Sequence, residues 1–335
     1  MKEIEPNVSI IIPTQEITDY LRQAISCSLK LNYSNFEILV LPDNETSICF
    51  ENTKIISTGK ISPAEKRNLA LKYAKGEILA FLDSDVYPHA DWLKNAVEYF
   101  KDMDIAGVCG PGITPPEDSL LQKVSGWIGA SLLGGGPLTY YRSYPARKRK
   151  VKDYASMNLI IRRNDFESIN GFNSHFWPGE DTELCLSLTK KLGKDIIYDP
   201  KVLVYHHRRA LFIPHLKQYG RYGFRRGHFA RTLPETSRTF FNFVPCCFIL
   251  FLFLFPILIS VFHFFFPVLA SLFWHLYAGV NIFYFLLLLF TAVWVYTQER
   301  SIVISLLTIP GIVSTHIWYG LRFLQGLFFK QKPIQ

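Results

Sequence analysis

The chain has 335 residues, 49% of them hydrophobic and 15% aromatic, with 36 Lys and Arg against 28 Asp and Glu for a formal net charge of +8. That length can hold two domains. The excess positive charge sits in one segment just ahead of an uncharged region, which argues against a nucleic-acid partner, and the six cysteines show no C-x-x-C or Cys/His spacing, which excludes a zinc module and fits a reducing compartment.

In chain order, Val8–Pro13 is an apolar run closed by proline and predicts a buried strand. Gln15–Leu31 follows, with Tyr20, Leu21, Ala24, Ile25, Ser28 and Leu29 at helical spacing. Phe36–Leu41 is the next strand, closed by Pro42-Asp43-Asn44. Ala64–Lys75 reads as a helix, Ile78–Leu82 as a strand and Asp91–Lys101 as a helix. This β-α-β-α-β alternation predicts a mainly parallel α/β sheet with helices on both faces. Gly110–Lys152, rich in Pro and Gly and carrying the basic run Arg147–Lys150, reads as a long connection over the site, and Asp195–Tyr198 as a further strand. The strand Ile78–Leu82 ends at Asp83-Ser84-Asp85. At the carboxyl end of a central strand, two carboxylates one residue apart can turn toward one hard cation and its phosphate ligands.

From Phe240 to Thr297 there are 58 residues without Asp, Glu, Lys or Arg. A crossing helix needs about 20 apolar residues, so two fit, at roughly 243–266 and 272–296. Buried helices of a soluble domain would need a solvent-facing polar stripe, which is missing. A third uncharged run, 301–321, is interrupted by Pro310-Gly311. It either spans or forms a re-entrant or interfacial segment. Spanning puts Arg322, Lys330 and Lys332 opposite the N-terminal part, against the basic bias of cytoplasmic segments. The opening Met1–Pro6 lacks a charged-then-apolar signal, so the N-terminal domain is expected in the cytoplasm. Eight Lys and Arg between His206 and Arg238, against Glu235 alone, suit an anionic lipid surface. The expected division is a catalytic part at 1–205, a basic amphipathic segment at 206–239 and a membrane region at 240–335.

Ile10–Thr14, Glu37–Asn44, Ala64–Asn68, Phe81–Asp85 and Gly179–Asp181, taken in order, resemble the motifs of the family 2 glycosyltransferases, which carry the nucleotide-sugar-binding GT-A fold. The likeness runs from about Val8 to Arg238. It implies transfer of a sugar from a UDP- or GDP-type donor, with inversion at the anomeric carbon and with Mn²⁺ or Mg²⁺ as cofactor. Carried over residue by residue, Asp83 lies near the ribose and metal, and Asp85 binds the metal. Thr14 and Asp43 flank the nucleobase and Arg67 approaches the nucleotide. The family commonly has two adjacent acids where this chain has Pro42-Asp43, which leaves base identity open and keeps a turn role for Asp43 in play.

On the acceptor side, Trp177 and Glu180-Asp181 resemble the segment whose acid deprotonates the incoming hydroxyl. Asp181 is the expected base, because a carboxylate held in a shielded site can take the proton as the glycosidic bond forms. Glu180 is then a helix-start or neighbouring charge. In Val204–Arg208, His206 is the expected third metal ligand, with His207 lining the acceptor channel. Gln218-Tyr-Gly-Arg221-Tyr222 resembles the Q-x-x-R-W element of processive synthases, which would set Gln218 and Arg221 beside the acceptor diphosphate; a plain basic interfacial helix is the other reading. The sequence thus points to single transfer of a hexosyl or N-acetylhexosaminyl group to a lipid-linked or glycan acceptor by a multi-pass membrane protein. The alternatives are a processive polysaccharide synthase subunit and a non-catalytic scaffold of the same fold.

Overall fold

The computed structural model describes residues 5–329; Met1–Ile4 of the opening stretch and the C-terminal Lys330 and Lys332 lie outside the described residues. The elements are, in order, β1 (Val8–Pro13), α1 (Asp19–Ser28), β2 (Phe36–Leu41), β3 (Thr53–Ile55), α2 (Pro63–Ala70), β4 (Ile78–Leu82), β5 (Val86–Pro88), α3 (Trp92–Val97), β6 (Ile105–Cys109), β7 (Gly112–Ile113), α4 (Leu120–Ala130), α5 (Leu132–Gly135) and β8 (Arg149–Val151). They continue with β9 (Asn158–Arg162), α6 (Arg163–Ser168), α7 (Glu180–Leu186), β10 (Asp195–Tyr198), β11 (Val204–His206), α8 (Ile213–Thr232), α9 (Pro234–Ser237), α10 (Phe240–His263), α11 (Pro267–Glu299) and α12 (Ile302–Phe328). The chain divides into two compact units, one holding the residues up to Pro115 with Tyr141–His207, the other Pro116–Tyr140 with everything from Arg208.

The first unit is built on an eight-stranded sheet in the order β3-β2-β1-β4-β9-β6-β10-β8. β1, β2 and β4 are parallel and in register, with Pro13 opposite Leu41 and Ile11 opposite Phe81, so their carboxyl ends finish at one edge of the sheet. Every residue of β1 and β4 is buried, as expected for strands covered by helices on both faces. The helices start where side chains satisfy the free amides: Thr18 accepts from Leu21 at α1, and Ser62 with Glu65 forms a capping box at α2. β9 runs antiparallel between β4 and β6, which the alternation of strands and helices did not foretell. A small sheet, β5-β11-β7, sets β11 antiparallel to β5 with His206 opposite Val86. Asn158 joins these layers: it accepts from Trp92 Nε1 at 2.8 Å and donates to the carbonyls of Gly110 at 2.6 Å and Val202 at 2.8 Å. Gly110 has to be glycine here, because a Cβ would stand 1.9 Å from the Val202 carbonyl oxygen.

The second unit corrects the reading of Gly110–Lys152 as a connection. Leu120–Ala130 is a helix whose Val124 and Ile128 are buried with Leu288, Val295, Ile304 and Ile312 of α11 and α12. Residues 116–140, placed by the sequence in the catalytic part, thus pack with the C-terminal helices. Trp127 Nε1 and Lys123 Nζ each meet the Glu299 carboxylate at 3.0 Å. His215 on α8 is fully buried and bridges Ser125 Oγ at 2.7 Å and Thr315 Oγ1 at 2.8 Å, tying α4, α8 and α12 together.

α10, α11 and α12, with 24, 33 and 27 residues, are each long and apolar enough to cross a membrane. Pro310 lies inside α12 without ending it, so 301–321 belongs to one continuous helix rather than to a broken segment. α8 lies along α12 through glycines. A Cβ at Gly223 would stand 2.5 Å from the Tyr319 carbonyl oxygen, one at Gly227 2.0 Å from that of Phe323, and one at Gly326 1.9 Å from that of Phe224. Small residues at intervals of three and four allow this backbone contact between helices.

Burial, and secondarily the Arg208 charge, lower the His215 pKa from 6.5 to about 4. A depressed histidine pKa means protonation favours the unfolded chain, so its stabilising contribution is complete above about pH 6.5 and is lost as pH falls toward about 4. Melting curves of the second unit are expected to fall across that window in the native chain, and His215→Gln is expected to flatten the dependence.

Candidate active site

Three consecutive residues of α2 organise the carboxyl edge of the sheet. Lys66, 2% exposed, donates to the Leu41 carbonyl at 3.1 Å and also to the Thr14 carbonyl and the Asp43 carboxylate, which fixes the ends of β1 and β2. Arg67, 3% exposed, spans two acids: Nη2 lies 2.7 Å from Asp83 Oδ1 and Nη1 3.1 Å from Glu180 Oε1. Its guanidinium also lies 5.4 Å from the centre of the Phe172 ring. Asn68 completes the set by donating to the Phe172 carbonyl at 2.7 Å and accepting from its amide at 2.9 Å. Gly171 before it has φ +67°, and a Cβ would stand 2.5 Å from Asn68 Oδ1, so this turn also requires glycine.

Asp83 and Asp85 leave β4 just before the small sheet. The antiparallel pairing of β5 with β11 brings His206 Nε2 to 3.7 Å from Asp85 Oδ1, and the His207 amide donates to the Asp85 carbonyl at 3.0 Å. The oxygen and imidazole donors of Asp85 and His206 fit a Mn²⁺ or Mg²⁺ ion completed by a donor diphosphate. Asp83, beside Asp85 in the chain, pairs through Oδ1 with the buried Arg67 and keeps a partly exposed carboxylate. Among the described residues, no three His, Cys, Asp or Glu converge tightly enough to hold a metal unaided.

α7 opens with the acid pair. Glu180 is 5% exposed, and besides Arg67 it accepts from the Gly179 amide at 2.9 Å. Asp181 is partly exposed and its Oδ1 accepts from the Thr182 amide at 2.8 Å. Trp177, half-buried, lies in the turn before α7. Thr14 is 7% exposed and its hydroxyl donates to the Glu16 carbonyl at 2.7 Å. His207 is 5% exposed, its Nε2 2.9 Å from Gln23 Oε1 and its ring stacked on Tyr20 at 4.1 Å. Gln218 and Arg221 belong to α8 of the second unit, where Gln218 donates to the Tyr222 hydroxyl at 2.9 Å and Arg221 is exposed. Arg225, on the same helical face, is 8% exposed.

Sequence reasoning gave no role to Lys66 or Asn68, and it missed Arg142 and Asp153 altogether. Lys66 and Asn68 adjoin Arg67 within a motif the sequence does display. Arg142 and Asp153 carry no local signal, since what defines them is a contact with α7 some 30 residues on.

If the pairing of Arg67 holds the edge together, Arg67→Met leaves Glu180 buried and unpaired and is expected to destabilise this unit by about 3–5 kcal/mol. Hydrogen exchange of the α7 amides checks this. The double variant R67M/E180Q, in which Glu180 no longer leaves an uncompensated buried charge, is expected to recover part of the loss.

A glycosyl transferase family 2 model matches residues 9–169, and a model described as the N-terminal domain of galactosyltransferase matches residues 137–208. The O-antigen biosynthesis protein RfbC of Myxococcus xanthus is 28% identical over 233 residues, covering 62% of this chain and 18% of that one. A dolichyl N-acetyl-alpha-D-glucosaminyl phosphate 3-beta-D-2,3-diacetamido-2,3-dideoxy-beta-D-glucuronosyltransferase of Methanococcus voltae is 25% identical over 239 residues, covering 66% of this chain and 73% of that one. Among solved structures, a mannosyltransferase of Pyrobaculum calidifontis, in complex with GDP-Man and Mn²⁺, superposes with a TM-score of 0.55 at 15% identity over 98% of this chain and 89% of that one. Residues 9–169 thus form a family 2 glycosyltransferase domain, its GT-A fold is shared with the solved mannosyltransferase, and the described residues after it include three helices each long and apolar enough to cross a membrane.

Proposed function

We propose that this chain is an inverting, metal-dependent glycosyltransferase that moves one hexosyl or N-acetylhexosaminyl group from a UDP- or GDP-sugar to a lipid-linked or envelope-glycan acceptor at the cytoplasmic face of the cell membrane. The observation that carries this reading is the linkage of the two acidic motifs through one buried guanidinium, Asp83–Arg67–Glu180. Asp85 follows one clamped acid by two residues and Asp181 follows the other directly, which supports a site for both at the carboxyl edge of the sheet, where open α/β folds bind ligands. Asp85 and His206, with Asp83 near them, would hold Mn²⁺ or Mg²⁺, which when bound offsets the charge on the departing nucleoside diphosphate. Asp181, at the start of α7, would accept the proton of the acceptor hydroxyl as the new bond forms. Lys66 and Asn68 keep the edge rigid, so the acids do not reorganise during the reaction.

The relatives support the donor and acceptor classes by their names: one acts in O-antigen biosynthesis, one on a dolichyl phosphate sugar, and the solved structure holds a GDP-sugar with Mn²⁺. The cytoplasmic assignment rests on the basic stretch from Arg208 to Arg238, with Lys217 and Arg221 exposed for anionic headgroups.

The test is nucleoside diphosphate release by the detergent-solubilised chain across a panel of UDP- and GDP-sugars, with and without a polyprenyl-linked acceptor. One donor is expected to give acceptor-dependent release that chelator abolishes. Asp85→Ala is expected to be inactive, and Asp181→Asn to keep donor binding while turnover falls by about 10²–10⁴. A folded chain that binds no nucleotide sugar would instead be a scaffold.

A further inference from the structure

Arg142 lies in the first unit, two residues after the chain returns from the second. Its Nη2 is 2.9 Å from the Asp153 carbonyl and 3.2 Å from Asp153 Oδ2, and its guanidinium lies 5.4 Å from the centre of the Tyr154 ring. The other oxygen of that carboxylate, Asp153 Oδ1, accepts from Thr182 Oγ1 at 3.0 Å. Thr182 is 4% exposed, and its amide is the one that holds Asp181 Oδ1 at 2.8 Å. We propose that Arg142 is a positioning residue for the reaction, acting through Asp153 and Thr182 to fix the Asp181 carboxylate and to place a permanent cation beside it. This rests on Asp181 being the base.

The alternating charges give the inference a sign. Burial alone would weaken the charge on Arg142, but the carboxylate of Asp153, then Tyr141, Tyr154 and Asp181, hold its pKa above the ordinary arginine value. The coupling to Asp181 is mutual: the cation favours the ionised base, and Asp153 opposes it. The other two acids of α7 have partners of their own. Glu180 is paired with Arg67, Glu183 with Lys191 at 3.5 Å and with the Ser187 hydroxyl at 2.7 Å. The Cys185 thiol and the Tyr154 phenol stay neutral because burial raises both. Removing Arg142 therefore disfavours the Asp181 anion twice, by loss of the cation and by exposure to an unbalanced Asp153, whereas removing the Asp153 charge favours it.

Two readouts on the full detergent-solubilised chain test this. The first needs no turnover: the pH at which the Asp181 carboxyl becomes half-reactive to a water-soluble carbodiimide, read by peptide mass spectrometry. Arg142→Met is expected to raise that midpoint by about one unit, Asp153→Asn to lower it, and Arg142→Lys to restore most of the native value. The second is the acid limb of the kcat profile for nucleoside diphosphate release with the donor that the panel identifies, expected to move in the same directions with donor KM unchanged. Thr182→Val, which keeps both charges and cuts the link, is expected to lower kcat about ten- to a hundredfold with the midpoint unmoved. Equal midpoints in the Arg142 and Asp153 variants would overturn the inference. Shifted midpoints with an unmoved acid limb would overturn the assignment of Asp181 as base instead. Should Arg142→Met not fold, the sign of the Asp153→Asn shift and the kcat of Thr182→Val still decide it.

Discussion

The constraint on which the first unit depends is the burial of a guanidinium between two acids that lie 97 positions apart in the sequence, Asp83 after β4 and Glu180 at the start of α7. A buried charge is tolerated only when it is paired and hydrogen-bonded. Arg67 therefore dictates where both acidic motifs go, and through them where Asp85 and Asp181 sit. The neighbouring residues of α2 extend the effect: Lys66 secures the ends of β1 and β2, and Asn68 secures the turn at Phe172. One turn of one helix thus reaches the ends of β1, β2 and β4 and the start of α7 together. A hydrophobic contact could not fix them so closely, because it has no directionality.

The second unit solves a different problem. Helices that cross a bilayer gain little from apolar contacts with each other, since lipid is equally apolar, so close packing and polar contacts have to hold them. The glycines of α8 and α12 supply the first. The second comes from side chains that meet across helices: Ser125, His215 and Thr315 join α4, α8 and α12, and Lys123 and Trp127 meet Glu299. Because 116–140 belongs to this unit, the chain passes between the two units three times, near 115, 140 and 207, rather than once through a linker.

What was legible in the sequence follows from how local each signal is. β1, β2, β4 and β10 have the bounds expected from their apolar runs, because a strand buried on both faces needs a continuous run and nothing else. Asp83-Ser-Asp85 and Glu180-Asp181 were visible as motifs, and so was the basic stretch ahead of the apolar helices. The path of 110–152 was not. The buried face of α4 is completed by residues of α11 and α12 more than 150 positions later, so its own sequence, set among prolines and glycines, gives little sign of a partner. The same reason hid β9, five residues whose place between β4 and β6 is set by pairing at distance. The packing of His207 was hidden in the same way, because Tyr20 and Gln23, which stack on and meet its ring, come from α1, far off in sequence.

The acids of the first unit are held in different ways. Guanidinium groups meet Asp83, Glu180 and Asp153. Asp85 faces the His206 imidazole, and the Thr182 amide in the first turn of α7 donates to Asp181, a contact that orients the carboxylate. Because Asp83 and Glu180 flank Asp85 and Asp181 in the chain, the burial of one guanidinium orders both acidic motifs at once, and a change at Arg67 is felt in each.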